Sequence, residues 1–297
     1  MVTFFSTPKP FFGHVNVIQR NAIQSWKCVD AEAEIILFGD DPGAAEVCSE
    51  LGIRHEPFVR RNAHGTKFLA TIFDRAAEQA RYNVLCYLNC DIVLLGDFLP
   101  ALRSLLQSPR RFLMVGQRRD LDIRQPLSFD SPLWQEELRT RALRQGKLRP
   151  PQWIDYFAFS RDLFRCRIPP FVIGRPSWDN WLIWYARRSG ALVADATSVV
   201  TAVHQNHDYS YHPDGEAGVW QGAEARQNVA LLDHGRCFAT IQNATHRLTR
   251  HGLQRNLLHY PALAHRRLRA TLSRAWFRFL DLSRPLRHAA GLRKHKS

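Results

Sequence analysis

Short apolar runs alternate with amphipathic segments over the first 117 residues. The runs VTFF at 2–5 and EIILF at 34–38 have the length of buried strands and end at turn residues. Between them, apolar residues recur at helical spacing: Val15, Ile18, Ala22 and Trp26. This alternation predicts an α/β protein with a mostly parallel sheet and helices on both faces. Ligands bind such sheets at the carboxyl ends of the strands.

The same pattern continues through this half of the chain. It predicts helices near 43–51 and 97–107 and strands at 83–89 and 111–117. Thr66 is a candidate N-cap for a further helix. The apolar face of that helix would consist of Leu69, Ile72, Phe73, Ala76, Ala77 and Ala80.

The second half of the chain is less regular. A strand is predicted within 153–164, a helix from near Trp178 to Gly190, and two strands within 191–207. Residues 224–234 are predicted to be helical. From about 245 the chain is rich in Arg and His, and we expect it to be largely helical. This divides the chain into a body, 1–244, and a basic helical C-terminal extension, 245–297.

Composition supports a folded protein. The chain is 45% hydrophobic and 11% aromatic, which is enough for a sizeable core. No apolar run reaches the roughly 20 residues of a membrane span, and the N-terminus lacks the pattern of a signal peptide, so we expect a cytoplasmic protein. The six cysteines form no CxxC pair, which argues against a disulfide framework or a cysteine zinc site.

The net charge of +14 is concentrated in the extension. Residues 245–297 hold 13 Lys and Arg against Asp281 alone, so the body is close to neutral. Apolar residues between these bases fall at roughly helical spacing: Leu263, Leu268, Leu272, Trp276, Phe279 and Leu280. The pattern is typical of a helix on an anionic membrane surface. A basic tail packed on the body is the alternative, and no nucleic-acid-binding motif accompanies the charge.

The segment YLNCDIVLL at 87–95 places two polar residues inside an apolar run. Asn89 and Asp91 follow a predicted buried strand, at the end where a ligand would bind. A buried carboxylate is costly without a partner, and a bound cation would offset that cost. The alternative is a strand-end turn in which Asp91 caps a neighbouring helix. Cys90 is interpreted as a small spacer.

An ordered set of segments resembles the GT-A nucleotide-sugar glycosyltransferases over residues 1–245. The segments are STPKP, FGDD, GTKFLATIFDRA, YLNCDIVL, DYFAF, GRPSWDNW and VHQNHDYSY. The resemblance implies a Rossmann-like GT-A fold with a nucleotide-sugar-binding half, 1–117, and an acceptor half, 118–244. It also implies that Asp91 matches the second acid of a DxD motif and binds Mn²⁺ or Mg²⁺. Asn89 replaces the first acid, and its amide can bond a ribose hydroxyl but brings no charge to the metal.

The resemblance also implies a late histidine ligand for the metal. His207 is the favoured candidate and His204 the second. The histidines could instead form hydrogen bonds within a loop, or a zinc site together with His212. The resemblance further places Asp40 near the base or ribose.

Several basic and hydroxyl residues lie where an anion could bind. Thr7 and Lys9 follow the first strand, and Thr66 and Lys67 precede a predicted helix, whose N-terminus favours anions. Simple surface charge is the alternative for both lysines. Either arginine of the pair at 118–119 could bind a diphosphate or form an ion pair with Asp120 or Asp122.

Asp179 resembles the acid at a helix N-terminus that serves as general base in inverting members of the family. Trp178 and Trp181 flank it and could stack on sugar rings. Helix capping and core packing are the alternatives for these residues. Donor or acceptor sugar would also contact Asp155, Tyr156 and Asn180. In a retaining enzyme Asp179 would bind substrate instead.

The resemblance therefore implies a hexosyltransferase-type enzyme. It would move a sugar from a nucleoside-diphosphate sugar, with UDP favoured, to a saccharide or lipid-linked acceptor. We expect peripheral association with the inner membrane surface through 245–297. The alternatives are a nucleotidyltransferase and a non-catalytic sugar-nucleotide-binding protein.

Overall fold

A nine-stranded sheet forms the centre of the protein, for which this computed structural model describes residues 2–108, 110–209 and 213–257. Its strands are β1 Thr3–Ser6, β2 Glu34–Phe38, β3 Arg54–Glu56, β4 Val84–Leu88, β6 Phe112–Val115, β9 Tyr156–Ser160, β10 Leu192–Asp195, β12 His246–Thr249 and β13 Gly252–Arg255. Their order is β13-β12-β10-β6-β9-β4-β1-β2-β3. β9 is antiparallel to both neighbours, β12 and β13 form a hairpin, and the other neighbours pair in parallel.

A smaller four-stranded sheet lies beside the first. Its strands are β5 Ile92–Leu94, β7 Arg119–Leu121, β8 Lys147–Leu148 and β11 Ala202–Gln205, in the order β5-β11-β7-β8. Only residues 89–91 separate β4 from β5, so the chain passes from one sheet to the other at the Asn-Cys-Asp break. Antiparallel pairing of β5 with β11 sets His204 opposite Ile92, which brings the segment after β11 next to that break.

Helices cover both faces of the main sheet. Their bounds are α1 Gly13–Val29, α2 Ala44–Leu51, α3 Leu69–Gln79, α4 Phe98–Leu106, α5 Trp134–Gln145, α6 Trp178–Arg188, α7 Gly215–Gln221 and α8 Ala223–Ala230, with a 3-10 turn at Ile241–Asn243. Side chains of β1 alternate between the faces, as a strand requires. Phe4 packs on Trp26 of α1 and Phe98 of α4, whereas Phe5 packs on Phe73 of α3. The prediction of a mostly parallel α/β sheet flanked by helices is confirmed.

Two local predictions are wrong. Thr66 does not cap α3, which begins at Leu69 after the N-cap residue Phe68. Helix was expected from residue 245, but residues 246–255 are the hairpin β12–β13, which extends the main sheet next to β10. The sheet thus crosses the predicted boundary at 244/245. Most of the proposed membrane-facing helix, including all its apolar positions, lies outside the described residues. Within the described part of the chain, no helix has both the length and the apolar character needed to span a bilayer.

Candidate active site

A cleft of about 1050 Å³ opens where strands of both sheets end. The segments after β1, β2, β4, β6 and β11 line it, as do the segment before β9 and the start of α6. Parallel strands bring residues that are distant in sequence to one edge of a sheet, which is where such folds bind ligands. The volume is at the upper end of the roughly 300–1,000 Å³ typical of small-molecule sites.

Asp91, His204 and His207 meet at the centre of this cleft. The Oδ2 atom of Asp91 lies 3.1 Å from Nε2 of His207 and 3.9 Å from Nε2 of His204. One potential ligand atom from each residue lies within 4.8 Å of the other two. The β5–β11 pairing produces this geometry, because it holds the end of β11 against the start of β5. The predicted partnership of Asp91 with a late histidine is therefore present in the structure, with both candidates nearby.

The carboxylate of Asp91 is buried, and its surroundings strongly favour the ionised form. Burial alone would raise its pKa, but His204, His207 and Lys9 outweigh that effect and hold the pKa well below its usual range. Among the described residues, its second oxygen, Oδ1, is buried without a hydrogen-bond partner. A buried acceptor of this kind is costly unless something binds it.

These three residues fit a divalent metal. They offer two imidazoles and one carboxylate oxygen for which the described part of the chain provides no hydrogen-bond donor. Carboxylates suit Mg²⁺ and Mn²⁺, whereas imidazoles suit transition metals, so the mixed set favours Mn²⁺ of the two. His212, the third histidine of the alternative zinc site, lies outside the described residues.

Lys9 stands beside this cluster. Its Nζ is 3.1 Å from Nε2 of His207 and 3.9 Å from Oδ2 of Asp91. Burial lowers the pKa of its ammonium group, although the nearby Asp91 opposes the change. Lys9 is therefore a cation of the cleft rather than simple surface charge.

Asn89 points away from the cluster and into a second polar network. Its Nδ2 donates to Oδ1 of Asp155 at 2.5 Å, and Oδ2 of Asp155 lies 2.5 Å from Nη1 of Arg118. Arg118 also donates to Asp120 at 2.9 Å, and Asp120 lies 3.3 Å from Nδ1 of His204. Of the two alternatives for Arg118, the structure shows the ion pair with Asp120. Asn89 thus connects the break after β4 to Asp155 at the start of β9.

Asp179 lies in the first turn of α6 and lines the same cleft. Burial raises the pKa of its carboxyl to about 7, and the neighbouring Asp155 carboxylate adds to the rise. Backbone N–H groups of Asn180 and Ile154 oppose it. The N-cap residue is Ser177, whose φ of 90° is left-handed and uncommon for a residue other than glycine. Asp179 is therefore a carboxyl that changes charge near neutral pH.

Lys67 lines the cleft, and in the structure its charge is paired. Its ammonium group is buried, pairs with Asp41, and donates to Thr7 Oγ1 at 2.7 Å and to the Pro8 carbonyl at 3.0 Å. A Cβ on Gly39, whose φ is +114°, would lie 2.9 Å from this Nζ, so the pair needs glycine there. Lys67 is the residue before the N-cap of α3. It connects the loops that follow β1 and β2.

The remaining predicted residues divide between cleft and core. Asp40 is exposed and pairs with Arg61, so the cleft contains its neighbour Asp41 instead. Thr66 lines the cleft, and its backbone N–H donates to Asn62. Tyr156 does not line the cleft: it is buried in the core against Phe98.

The residues around Asp179 are held tightly by the core. Asn180 is buried, and its amide donates to the carbonyls of Gln152 and Ala239. Trp178 lines the cleft but is only 5% exposed and packs on Tyr87. Trp181 packs on Tyr185 in the core. The two tryptophans are therefore largely packing residues.

Sequence reasoning missed several cleft residues. They are Asp41, Arg149, Trp153, Arg175, Trp220 and Glu224. Asp41 was within reach of prediction, because it is adjacent to Asp40 in the same strand-end turn. The others lie on irregular segments and short helices, where periodicity gives no information about direction.

Comparison with known proteins gives distant similarities only. No protein-family model matches the chain. No curated protein matches it either. Glucosyl-3-phosphoglycerate synthase from Mycobacterium tuberculosis, solved with Mn²⁺, UDP and phosphoglyceric acid, overlaps 80% of this chain and 78% of its own, with 17% identity and a TM-score of 0.46. GalNAc-T7, solved with UDP, GalNAc and Mn²⁺, overlaps 78% of this chain and 48% of its own, with 16% identity and a TM-score of 0.46. Similarities at this distance carry no argument about function, which must come from the site.

Proposed function

We propose that this protein is a metal-assisted glycosyltransferase that uses a nucleoside-diphosphate sugar, with UDP favoured. The observation that carries the proposal is the pairing of two unlike carboxyls in one cleft. Asp91 is held ionised beside two histidines, and its buried Oδ1 has no donor within residues 2–108, 110–209 and 213–257, whereas the pKa of Asp179 is raised to about 7. One carboxyl suits a metal and the other suits proton transfer.

In this proposal, Asp91, His204 and His207 hold the metal. When bound, Mn²⁺ or Mg²⁺ would supply Lewis-acid stabilisation of the charge that develops on the diphosphate leaving group. Lys9 would add a further positive charge at the same place, since its Nζ lies 3.9 Å from Asp91. Asp41 and Thr7, held together by Lys67, would border the nucleoside part of the donor.

Asp179 would accept the proton of the attacking acceptor hydroxyl. The hydroxyl oxygen forms a bond to the anomeric carbon, the bond from that carbon to the diphosphate oxygen breaks, and UDP leaves with the electron pair. A base is most effective when its pKa is near the working pH, which the value of about 7 satisfies. The arrangement favours an inverting reaction. Asp155 would make Asp179 a stronger base through its negative charge, and it would hold Asn89 in place by accepting its hydrogen bond.

The decisive experiment measures melting temperature with UDP and GDP, each with and without Mn²⁺. A ligand at a hundredfold excess over its dissociation constant stabilises the fold by about 2.7 kcal/mol. We expect a metal-dependent rise with UDP that exceeds the rise with GDP. No rise with either nucleotide under any condition would contradict the proposal.

Turnover distinguishes a transferase from the alternatives. Incubation with UDP-sugars, Mn²⁺ and a mixture of glycan acceptors should release UDP and yield a product heavier by one sugar. UDP binding without any release would favour a non-catalytic binding protein. Release of pyrophosphate from UTP and a sugar phosphate would favour a nucleotidyltransferase.

A further inference from the structure

Three aromatic side chains form a continuous surface along the cleft, which we call the aromatic wall: Trp153, Tyr209 and Trp220. The ring centres of Trp153 and Trp220 are 5.5 Å apart, and those of Tyr209 and Trp220 are 6.4 Å apart. All three line the cleft, and Tyr209 reaches His207 of the metal cluster, with ring centres 6.1 Å apart. The wall therefore begins at the proposed metal site.

Trp220 is the exposed member of the wall, and Trp153 and Tyr209 are half-buried. Trp220 on α7 is 37% exposed, in contrast to Trp178 and Trp181 of the same region, which are 5% and 4% exposed. Burying a tryptophan is strongly favourable, so an indole that stays open to a cleft is available for a ligand.

Arginine side chains hold Trp153, one of the three residues of the wall, in position. The guanidinium carbon of Arg149 lies 4.1 Å from the ring centre of Trp153, and that of Arg118 lies 5.3 Å away. Both arginines also pair with Asp120. Cation–π contacts and ion pairs together restrict Trp153, so the surface exists before any ligand arrives.

The charges beside the aromatic wall disfavour an anionic acceptor there. Among the described residues, eight Asp and Glu line the cleft, against six Lys and Arg. Several of these cations already pair with acids, as in Arg118 with Asp155, Arg149 with Asp120 and Arg175 with Glu224. Asp214 and Glu216, at the start of the helix that carries Trp220, add negative charge beside the wall.

We propose that the aromatic wall is the acceptor subsite and that it binds an uncharged saccharide. The C–H face of a sugar ring is apolar and complements the negative face of an indole, whereas its hydroxyls can donate to the surrounding carboxylates. A phosphorylated sugar or a lipid-linked diphosphate would instead face acids and arginines that are already paired. This inference rests on the proposed transferase function, which it extends to the class of acceptor.

The test measures saccharide binding without any donor. Saturation-transfer NMR would follow a panel of methyl hexosides, their disaccharides and the matched hexose 6-phosphates. We expect ring protons of a neutral saccharide to receive saturation. Trp220→Ala should weaken this binding about tenfold, and Trp220→Phe should stay within about threefold of the wild type, because stacking on an aromatic ring is retained.

Phe58→Ala is the matched control, because Phe58 is 59% exposed and does not line the cleft. It should bind like the wild type. The inference is wrong if no neutral saccharide binds, if the phosphates bind more tightly than the neutral sugars, or if Trp220→Ala and Phe58→Ala bind alike.

Separate readouts keep the two proposals apart. Saccharide binding that depends on Trp220, with no turnover of any UDP-sugar, would contradict the transferase and support the wall. Conversely, metal-dependent transfer whose acceptor KM does not change in Trp220→Ala would support the transferase and contradict the wall.

Discussion

Asp91 and Asp179 are both carboxyls of the same cleft, yet their surroundings drive them in opposite directions. Asp91 has two histidines and Lys9 close to it, which together overcome the cost of burial. Asp179 has a carboxylate neighbour, Asp155, so burial and charge act in the same direction and its pKa rises to about 7. Burial alone therefore does not determine the protonation state. The charges that each segment of chain brings within reach decide it.

Removing the Asp91 carboxylate is the first test of this difference between the two carboxyls. In Asp91→Ala we expect turnover to fall by at least a thousandfold and the metal-dependent rise in melting temperature with UDP to disappear. Asp162→Asn, an exposed acid after β9, is the matched control and should behave like the wild type. A full Mn²⁺-dependent rise in Asp91→Ala would show that the metal, if any, binds elsewhere.

Removing the charge of Asp179 should affect chemistry and leave donor binding intact. Asp179→Asn is expected to lower kcat by roughly 10²–10⁴-fold, the usual contribution of a general base. The metal-dependent melting-temperature rise with UDP should persist. Equal loss of nucleotide binding and of kcat would instead indicate that the variant disturbs the fold.

The dependence of kcat on pH tests the raised pKa of Asp179 directly. A base must be deprotonated to act, so kcat should increase about tenfold per pH unit below 7 and level off above it. The residual rate of Asp179→Asn should lack this step. An unchanged step in the variant would assign the titration to another group.

The same shift predicts a pH-dependent effect on stability. The pKa of Asp179 is about 7 in the folded state against an ordinary value of 3.8, so the folded state binds the proton more tightly. The free energy of unfolding therefore falls as the pH rises from about 4 to 7 and is constant above 7. Asp179→Asn should be more stable than the wild type at pH 8, by up to roughly 4 kcal/mol, and the difference should vanish near pH 4. Denaturant unfolding at both pH values measures this, and a difference independent of pH would contradict it.

The smallest expected effect concerns Asn89, which donates a hydrogen bond to Asp155, the carboxylate neighbour of Asp179. Asn89→Asp restores the acid of a DxD motif but replaces a donor to Asp155 with a second carboxylate. We expect a loss of about 1–3 kcal/mol in the free energy of unfolding and no gain in Mn²⁺ affinity. Calorimetric titration with Mn²⁺ would measure that affinity, and tighter binding would show that Asn89 can reach the metal.

The sequence predicts most strands and helices of the body because their patterns are regular. It also locates Asp91 at a strand end, and the resemblance to GT-A glycosyltransferases associates Asp91 with the late histidines. Where the prediction from sequence fails, pairing with a neighbouring segment outweighs the local pattern. The basic composition after 245 suggested helix, but Leu248 and Leu253 alternate with polar residues on either side of the turn at 250–251, which is followed by Gly252 with a φ of +95°. That is a hairpin pattern.

Side-chain directions and ion pairs at the site depend on contacts between distant segments. Nothing near Lys67 in the sequence indicates that Asp41 neutralises it, and nothing near Asn89 indicates that Asp155 accepts its hydrogen bond. Tyr156 and Asp155 are adjacent, yet one lies in the core and the other borders the cleft. The aromatic wall combines residues from three segments, and only the tertiary fold brings them together.

The distance in sequence between Asp91 and His207, which is 116 residues, has a consequence for how the protein is made. β5 leaves the ribosome long before β11, its partner, and closing so long a loop is a late event in folding. Until then Asp91 lacks the histidines, so the proposed metal site is complete only in the finished fold. The rate of Mn²⁺ binding during refolding would therefore report the rate of the last folding steps.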